Sequence, residues 1–368
     1  MSDAVLVGTR KGLFRIEKEA GGRWRVARDW FLGDPVSMVL AEPGGRVHAA
    51  CDLGHFGVKL KRSTDGGDTY TDIEPPAYPE KPEDAEDKDP MRGLEVPWTT
   101  KLIWSLEAGG DNELWCGTIP GGLFHSADGG DSWSLVRSLW DDPRRRQWMG
   151  GGYDFAGIHS ILVDPNDPAH VTVGVSVGGV WTTRDRGQTW EVAGAGLRNA
   201  YMPPGQENDP IAQDSHRIKH CTAHPGRQWM QHHNGIFVSD DTGANWREIV
   251  DVKPSVFGFA VAAHPTDPDT AWFVPAIKDE QRVPVDAKLV VNRTRDGGNS
   301  FEVLDRGLPE EPSWDLVYRH GLDVSADGER LAFGSTTGSL WVSEDQGDSW
   351  QVVSRHLPPI LCVRFQPD

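Results

Sequence analysis

The sequence of 368 residues contains little cysteine, has no excess of basic residues and has no long apolar run. Its four cysteines, Cys51, Cys116, Cys221 and Cys362, lie far apart in apolar, strand-like segments. No Cys-x-x-Cys spacing indicates a zinc or redox site. We therefore expect four buried free thiols.

Acidic residues outnumber basic ones, with 55 Asp and Glu against 37 Lys and Arg, and the formal net charge is -18. Proteins that bind nucleic acid need clustered Lys and Arg to displace counterions from phosphate. An anionic membrane surface attracts the same positive charge. The composition therefore predicts no nucleic acid and no membrane as partner.

No apolar window approaches the roughly 18 residues that cross a bilayer. The N-terminal segment also lacks the basic region and the apolar stretch of a secretory signal. We therefore expect a protein that is made and kept in the cytoplasm.

A turn motif of the form Ser/Thr-x-Asp-x-Gly-x-Ser/Thr/Asn-aromatic occurs six times. These repeat turns are 63–70, 126–133, 183–190, 239–246, 294–301 and 343–350. Each follows one short strand-like run and precedes another, as a hairpin turn does. The Asp can accept hydrogen bonds from its own turn, the Gly can take a positive φ, and the aromatic ring can pack between sheets. The pattern predicts a structural role for these residues.

Two more apolar runs precede each repeat turn, which gives four strands per repeat, the composition of a propeller blade. A seventh copy begins at the N-terminus, where 5–15 match the second and third strands but no first strand precedes them. Residues 360–367 match a first strand that has no later strands. We predict an all-β, seven-bladed propeller formed by 1–368 as a single domain. Blade 1 combines 1–30 with 358–368 and closes the ring, which removes an open sheet edge.

The repeat turns resemble the BNR repeat, or Asp box, of the sialidase-like superfamily of WD40/YVTN/BNR-like propellers. The resemblance covers nearly the whole chain and implies a propeller fold, with glycoside-hydrolase-like activity as one expectation. That superfamily also includes sorting receptors and assembly factors, so the fold alone does not select a function. Seven blades also differ from the six of sialidases.

Five long connections are expected on the face opposite the repeat turns, and we call this the mouth face. They lie near 71–97, 137–157, 196–214, 276–287 and 307–316. Long loops on a rigid scaffold commonly carry function. The end of the central axis on this face, the axial mouth, is therefore the predicted site.

Polar residues near the mouth end of the predicted inner strands, and in the turns between second and third strands on the same face, supply the candidate site. The candidate catalytic residues are Asp154, Asp214 and Tyr318, since glycosidases use a carboxyl pair or, in sialidases, a Tyr nucleophile. The guanidinium groups of Arg217 and Arg319 could pair with the carboxylate of an acidic sugar. The candidate ligand-binding residues are Lys101, His159, His216, Arg217, His232, His233, Arg319 and His320.

Three functions stay open from the sequence. The preferred one is binding of a small anionic or carbohydrate ligand at the axial mouth, with glycoside-hydrolase-like activity. The second is a non-catalytic scaffold that docks a protein on the mouth face. The third is a metal-dependent hydrolase or lyase, because three neutral imidazoles can hold a divalent ion. Seven of the 13 histidines are predicted near the mouth: His55, His159, His216, His220, His232, His233 and His320. No short spacing between histidines identifies which of them would bind a metal. No other cofactor is expected.

Overall fold

The computed structural model describes residues 3–367, and strands dominate it. Within that range 28 strands form seven antiparallel sheets of four strands each. In chain order they are β1 (Ala4–Thr9), β2 (Gly12–Lys18), β3 (Trp24–Trp30), β4 (Val36–Ala41), β5 (Val47–Asp52), β6 (Val58–Ser63), β7 (Thr71–Ile73), β8 (Leu102–Gly110), β9 (Glu113–Ile119), β10 (Leu123–Ser126), β11 (Ser134–Leu135), β12 (Ile158–Asp164), β13 (Asp167–Val175), β14 (Gly179–Thr183), β15 (Glu191–Ala193), β16 (Ser215–Cys221), β17 (His224–His232), β18 (Gly235–Ser239), β19 (Arg247–Ile249), β20 (Gly258–Ala263), β21 (Ala271–Pro275), β22 (Val291–Thr294), β23 (Glu302–Leu304), β24 (Leu322–Val324), β25 (Leu331–Gly334), β26 (Leu340–Ser343), β27 (Gln351–Ser354) and β28 (Ile360–Phe365).

Helices are few and short in the described part of the chain. One α-helix, α1, spans Arg137–Trp140. The 3-10 helices are Gly54–Phe56, Pro143–Gln147, Pro210–Ala212 and Val285–Ala287. None of these helices has the length and apolar character that crossing a membrane requires.

The ring closes as the sequence predicts. Blade 1 has the strand order β28-β1-β2-β3, in which Val5 pairs with Phe365 and Val7 pairs with Val363. Blades 2 to 7 each take four consecutive strands, from β4–β7 to β24–β27. The seven-bladed propeller fold is therefore confirmed, while residues 1, 2 and 368, which were assigned to blade 1, lie outside the described residues.

The first strand of every blade lines the central axis. Contacts run around the ring from β28 to β4, β8, β12, β16, β20, β24 and back to β28. Each inner strand starts near the mouth face, because the connections between blades lead into it there. Each inner strand ends at the opposite face, where its turn to the second strand lies beside the repeat turns.

The blades pack face to face, mainly through large buried aromatic rings. At some positions a glycine lets the backbones of two blades approach closely. Trp115, Trp181, Trp229 and Trp272 are fully buried, and each lies on a second or third strand. At Gly117 a side chain would not fit, because an added Cβ would lie 2.5 Å from the carbonyl oxygen of Ile158 in the next blade. Burial of such apolar surface is the main favourable contribution to folding.

The repeat turns join the third and fourth strands of blades 2 to 7, as predicted. In the second copy, Oδ1 of Asp128 accepts the N–H of Ser132 at 2.9 Å, and Oγ of Ser126 accepts the N–H of Gly130 at 2.9 Å. Gly130 has φ 91°, a value that favours glycine. The side-chain and backbone hydrogen bonds from Ser132 lower the pKa of Asp128. The Asp and Ser side chains are thereby committed to the turn.

Candidate functional site

Blade 5 brings its polar residues to the axial mouth through two neighbouring strands. Asp214 directly precedes β16, and His216 is the second residue of that strand. His232 ends β17, pairs in register with Ser215, and is followed by His233 in the turn to β18. Antiparallel pairing of β16 with β17 therefore places the start of one strand beside the end of the other.

These residues, together with Tyr201 from the long loop before β16, surround one buried carboxylate. Nδ1 of His233 lies 3.3 Å from Oδ2 of Asp214, and the hydroxyl of Tyr201 donates to the same oxygen at 3.2 Å. Nε2 of His216 lies 4.0 Å from Oδ1 of Asp214. We call Asp214, His216, His233 and Tyr201 the Asp214 cluster.

The protonation states in the Asp214 cluster follow from burial and from mutual charge. Burial alone would raise the pKa of Asp214, but the hydrogen bond with His233 and the neighbouring imidazoles outweigh it and hold the pKa well below its usual range. Burial lowers the pKa of His216 to about 3. Burial would also lower the pKa of His233, yet the hydrogen bond and charge of Asp214 raise it. The cluster thus presents an ionised carboxylate between a neutral imidazole and one that protonates readily.

Aromatic rings and guanidinium groups extend the site across blades 6 and 7. The ring of Phe259 stacks on His216, with centroids 4.5 Å apart, and the ring of Tyr318 meets Phe259 edge-on at 4.9 Å. The guanidinium of Arg319 lies over Phe259 at 5.5 Å. Arg282 donates to the hydroxyl of Tyr318 at 3.3 Å. Phe259 is only 1% exposed, so its ring supports His216 and is not itself open to a ligand.

Blades 3 and 4 complete this wall on the other side of Arg319. The guanidinium of Arg319 lies 4.8 Å from the ring centroid of Trp104, and Trp104 meets Tyr153 edge-on at 5.3 Å. His159 is buried beside Trp104, and its Nδ1 lies 2.8 Å from Oγ of Ser160. The predicted residues His159, Tyr318 and Arg319 therefore border the same wall as the Asp214 cluster.

Three predicted residues are not members of the Asp214 cluster. Lys101 and Asp154 are exposed, Lys101 just before β8 and Asp154 in the loop before β12. His232 is fully buried, and its ring nitrogens lie 3.1 Å from the backbone N–H groups of Asp214 and Asn234. That position makes His232 a support for the backbone of Asp214.

Two further predicted residues, Arg217 and His320, lie deeper along the axis. Arg217 donates to the carbonyl of His159 at 2.6 Å, and its other terminal nitrogen lies 3.7 Å from Oε1 of Glu107. His320 is buried, and within 3–367 neither of its ring nitrogens has a hydrogen-bond partner. Burial and nearby cations hold the pKa of His320 well below its usual value.

A cavity of about 320 Å³ opens at the opposite end of the axis, beside the repeat turns. The ends of inner strands line it and contribute Glu107, Lys219, His220 and Asp323. Burial, together with Arg364 and Arg217, lowers the pKa of Lys219 to about 8. His220 was predicted near the mouth, and this is wrong, because β16 carries it to the far end of the axis.

Sequence reasoning missed several residues of the site. Tyr201 lies in the long loop 196–214, so its position in a predicted functional loop was an available signal. The same holds for Arg282 in the loop 276–287. Phe259 offered no such signal, because it reads as an ordinary apolar residue of an inner strand. Glu107 belongs to the cavity at the opposite end of the axis and not to this site.

Comparison with curated proteins finds weak sequence similarity to xyloglucanases. The chain is 25% identical over 282 residues to an oligoxyloglucan-reducing end-specific xyloglucanase of Emericella nidulans. That alignment covers 65% of this chain but only 30% of the relative, so the chain spans less than a third of that enzyme's length. No known family profile matches the sequence.

Solved structures share the propeller fold. A GH74 xyloglucanase from Xanthomonas campestris superposes with a TM-score of 0.65 and 16% identity, covering 97% of this chain and 53% of the enzyme. YCF48 bound to D1 peptide superposes with a TM-score of 0.56 and 16% identity, covering 94% of both chains. The chain is thus a seven-bladed propeller whose sequence is weakly similar to that of glycoside hydrolases.

Proposed function

We propose that the chain binds a carbohydrate at the axial mouth and has glycoside-hydrolase-like activity there. The observation that carries the proposal is Asp214, a buried carboxylate held ionised between His216 and His233 at the mouth. The similarity to xyloglucanases supports a carbohydrate as ligand. The assignment of the repeat turns to the BNR repeat and the cytoplasmic location belong to the same proposal.

The residues around Asp214 can form the hydrogen bonds and ring contacts by which proteins bind sugars. An ionised carboxylate accepts hydrogen bonds from hydroxyl groups, and such charge-assisted bonds are strong. Tyr153 and Tyr201 are each 48% exposed, so their rings are open to stack on the apolar face of a sugar. Arg319 has a buried Nε without a partner among the described residues, and it would pair with an acidic sugar.

Hydrolysis of a glycosidic bond usually requires two carboxyl groups, one ionised and one protonated. Asp214 fits the ionised role, as a nucleophile or as a base that activates water. The candidates for the second group are Asp279, whose charge acts on His233 and which pairs with Arg282 at 2.5 Å, and Asp154 on its exposed loop. Tyr318 is the alternative nucleophile, as in sialidases.

The test combines binding with turnover. Xyloglucan oligosaccharides, uronic acids and sialic acids are titrated against the wild type by calorimetry, and released reducing ends are measured. We expect one ligand class to bind, with Asp214→Asn lowering turnover about 100-fold or more. The matched control is Asp111→Asn, an exposed carboxylate in the turn at the opposite face. Equal turnover and binding in wild type and Asp214→Asn would exclude this site.

A second candidate function, protein docking, is favoured by the apolar side chains on the mouth face. Leu32, Phe56, Met91 and Trp314 are exposed in connections of that face, Phe56 at the end of the 3-10 helix Gly54–Phe56. Exposed apolar surface is a common feature of interaction sites. If the mouth face docks a peptide, a Phe56→Ser and Trp314→Ser double variant should lose peptide binding while its carbohydrate titration stays unchanged.

A further inference from the structure

We propose that Asp214, His216 and His233 form a binding site for a divalent transition-metal ion at the axial mouth. The proposal goes beyond carbohydrate binding and is tested without any carbohydrate. The sequence suggested three imidazoles as ligands, whereas this arrangement has two imidazoles and one carboxylate.

The three side chains place one ligand atom each around a common point. These atoms all lie within 4.8 Å of one another. Nδ1 of His233 lies 3.3 Å from Oδ2 of Asp214, to which it donates a hydrogen bond until an ion displaces its proton to solvent, and Nε2 of His216 lies 4.0 Å from Oδ1. Two ligands about 2.1 Å from a tetrahedral ion are about 3.4 Å apart, so small side-chain movements bring the set to coordination distance.

The hydrogen bond behind His216 orients it as a metal ligand. Its Nδ1 lies 2.7 Å from the carbonyl oxygen of Gly258, which can only accept, so Nδ1 carries the proton. The lone pair of the neutral ring is then on Nε2, the atom nearer to Asp214. The stacked ring of Phe259 holds the imidazole in this orientation. Metal-binding histidines commonly donate their second N–H to a carbonyl or carboxylate in this way.

Asp214 supplies an independent reason for a cation. Its side chain is only 5% exposed, and Oδ1 has no hydrogen-bond partner among the described residues. A buried carboxylate oxygen without a partner is costly, and a bound cation removes that cost. Tyr201 donates to Oδ2 and leaves Oδ1 open on the side of His216.

The ligand set selects the class of ion. Two imidazoles and one carboxylate suit Zn²⁺, Co²⁺, Mn²⁺ or Fe²⁺, whereas Mg²⁺ and Ca²⁺ prefer oxygen ligands. Three protein ligands leave at least one position for water or for a ligand hydroxyl. His233 is 22% exposed in its side chain, so this open side reaches solvent. Nearby cationic charge is partly offset, because Arg282 pairs with Asp279.

The experiment titrates the chelator-treated full chain with Zn²⁺, Co²⁺ and Mg²⁺ by calorimetry and records the visible absorption of bound Co²⁺. We expect one Zn²⁺ or Co²⁺ per chain, ligand-field bands from Co²⁺, and no heat from Mg²⁺. Asp214→Asn and His233→Ala should each weaken Zn²⁺ binding at least 100-fold. His55→Ala, which removes an exposed imidazole on the same face, should leave it unchanged.

Folding is checked for every variant by circular dichroism in the absence of metal. If Asp214→Asn does not fold, His233→Ala decides, because His233 lies in a half-buried turn. Absence of Zn²⁺ and Co²⁺ binding by the folded wild type overturns the proposal. Binding that persists unchanged in folded His233→Ala overturns it as well. A chain that binds Zn²⁺ but no sugar refutes only the proposed carbohydrate function.

Discussion

Glu107 and Arg364 form an ion pair, with Oε1 of Glu107 2.5 Å from Nη2 of Arg364. Glu107 lies on β8 of blade 3, and Arg364 lies on β28, the strand that closes blade 1. Blade 2 lies between blades 1 and 3, so the ion pair links the inner strands of two blades that are not adjacent in the ring. It therefore ties the closing strand to the body of the ring.

Glu107→Gln should destabilise the protein in a pH-dependent way. Burial alone would raise the pKa of Glu107, but Arg364, Lys219 and Arg217 outweigh it and lower the pKa to about 2. An unfolded Glu has a pKa of about 4.3, so the stabilisation is complete above about pH 5 and is lost as pH falls toward 2. We expect the free energy of unfolding, measured in urea at pH 7, to fall by roughly 3 kcal/mol.

The pH series provides the control for this variant. The difference in the free energy of unfolding between wild type and Glu107→Gln should decrease steadily as the pH falls from about 5 to about 3. Glu74→Gln, an exposed carboxylate, should unfold like the wild type at every pH. If Glu107→Gln lowered the free energy of unfolding by the same amount at the highest and the lowest pH, the low pKa assigned to Glu107 would be contradicted.

Gly117→Ala should destabilise the contact between blades 3 and 4. The added methyl would lie 2.5 Å from the carbonyl oxygen of Ile158 and 2.3 Å from Oγ of Ser105, so the strands must separate. Overpacking of this kind costs about 1–3 kcal/mol, measured by chemical denaturation. Gly152→Ala is the matched control, since no atom of residues 3–367 lies within 4 Å of its added methyl. Equal stability of the two variants would rule out the close approach.

Ser343→Ala should weaken the last repeat turn. Oγ of Ser343 accepts the N–H of Gly347 at 2.8 Å and donates to Oδ1 of Asp345 at 2.8 Å. Its loss leaves the buried N–H of Gly347 without a partner, at a cost of about 1–3 kcal/mol. The midpoint of thermal unfolding measures this, with exposed Ser134→Ala as the control. An unchanged midpoint would mean that another acceptor replaces the hydroxyl.

The four thiols should be unreactive in the native protein. Cys51, Cys116, Cys221 and Cys362 are buried and free, as the sequence predicts. Burial raises the pKa of Cys51 to about 12 and raises the pKa of the other three, which suppresses the thiolate that reacts. A colorimetric disulfide reagent should label none rapidly near neutral pH and four after denaturation. One fast thiol in the native state would refute this.

The propeller could be predicted because its information is local and repeated. The repeat turns fix the hairpin of the third and fourth strands, and their recurrence fixes the number of blades. The closure of blade 1 could be predicted because the segment 360–367 matches a first strand and has no partners of its own. The number of blades and the closure of blade 1 both follow from the order of strands along the chain, which can be read from the sequence.

The site could be predicted only in part. Asp214, His216 and His233 stand out as polar residues at strand ends, but their distances depend on the register of β16 with β17. His220 was misplaced because a strand advances about 3.3 Å per residue, so four residues separate it from His216 by about 13 Å along the axis. Phe259 reads as a core residue, since its contact with His216 depends on how adjacent blades pack.

The pairing of β1 with β28 has a consequence for the newly made chain. Among the described strands β28 leaves the ribosome last, so β1 keeps an open edge while blades 2 to 7 are being synthesised. An open edge can pair with strands of other chains. Until Phe365 pairs with Val5, the nascent chain therefore carries an open strand edge that another chain can occupy.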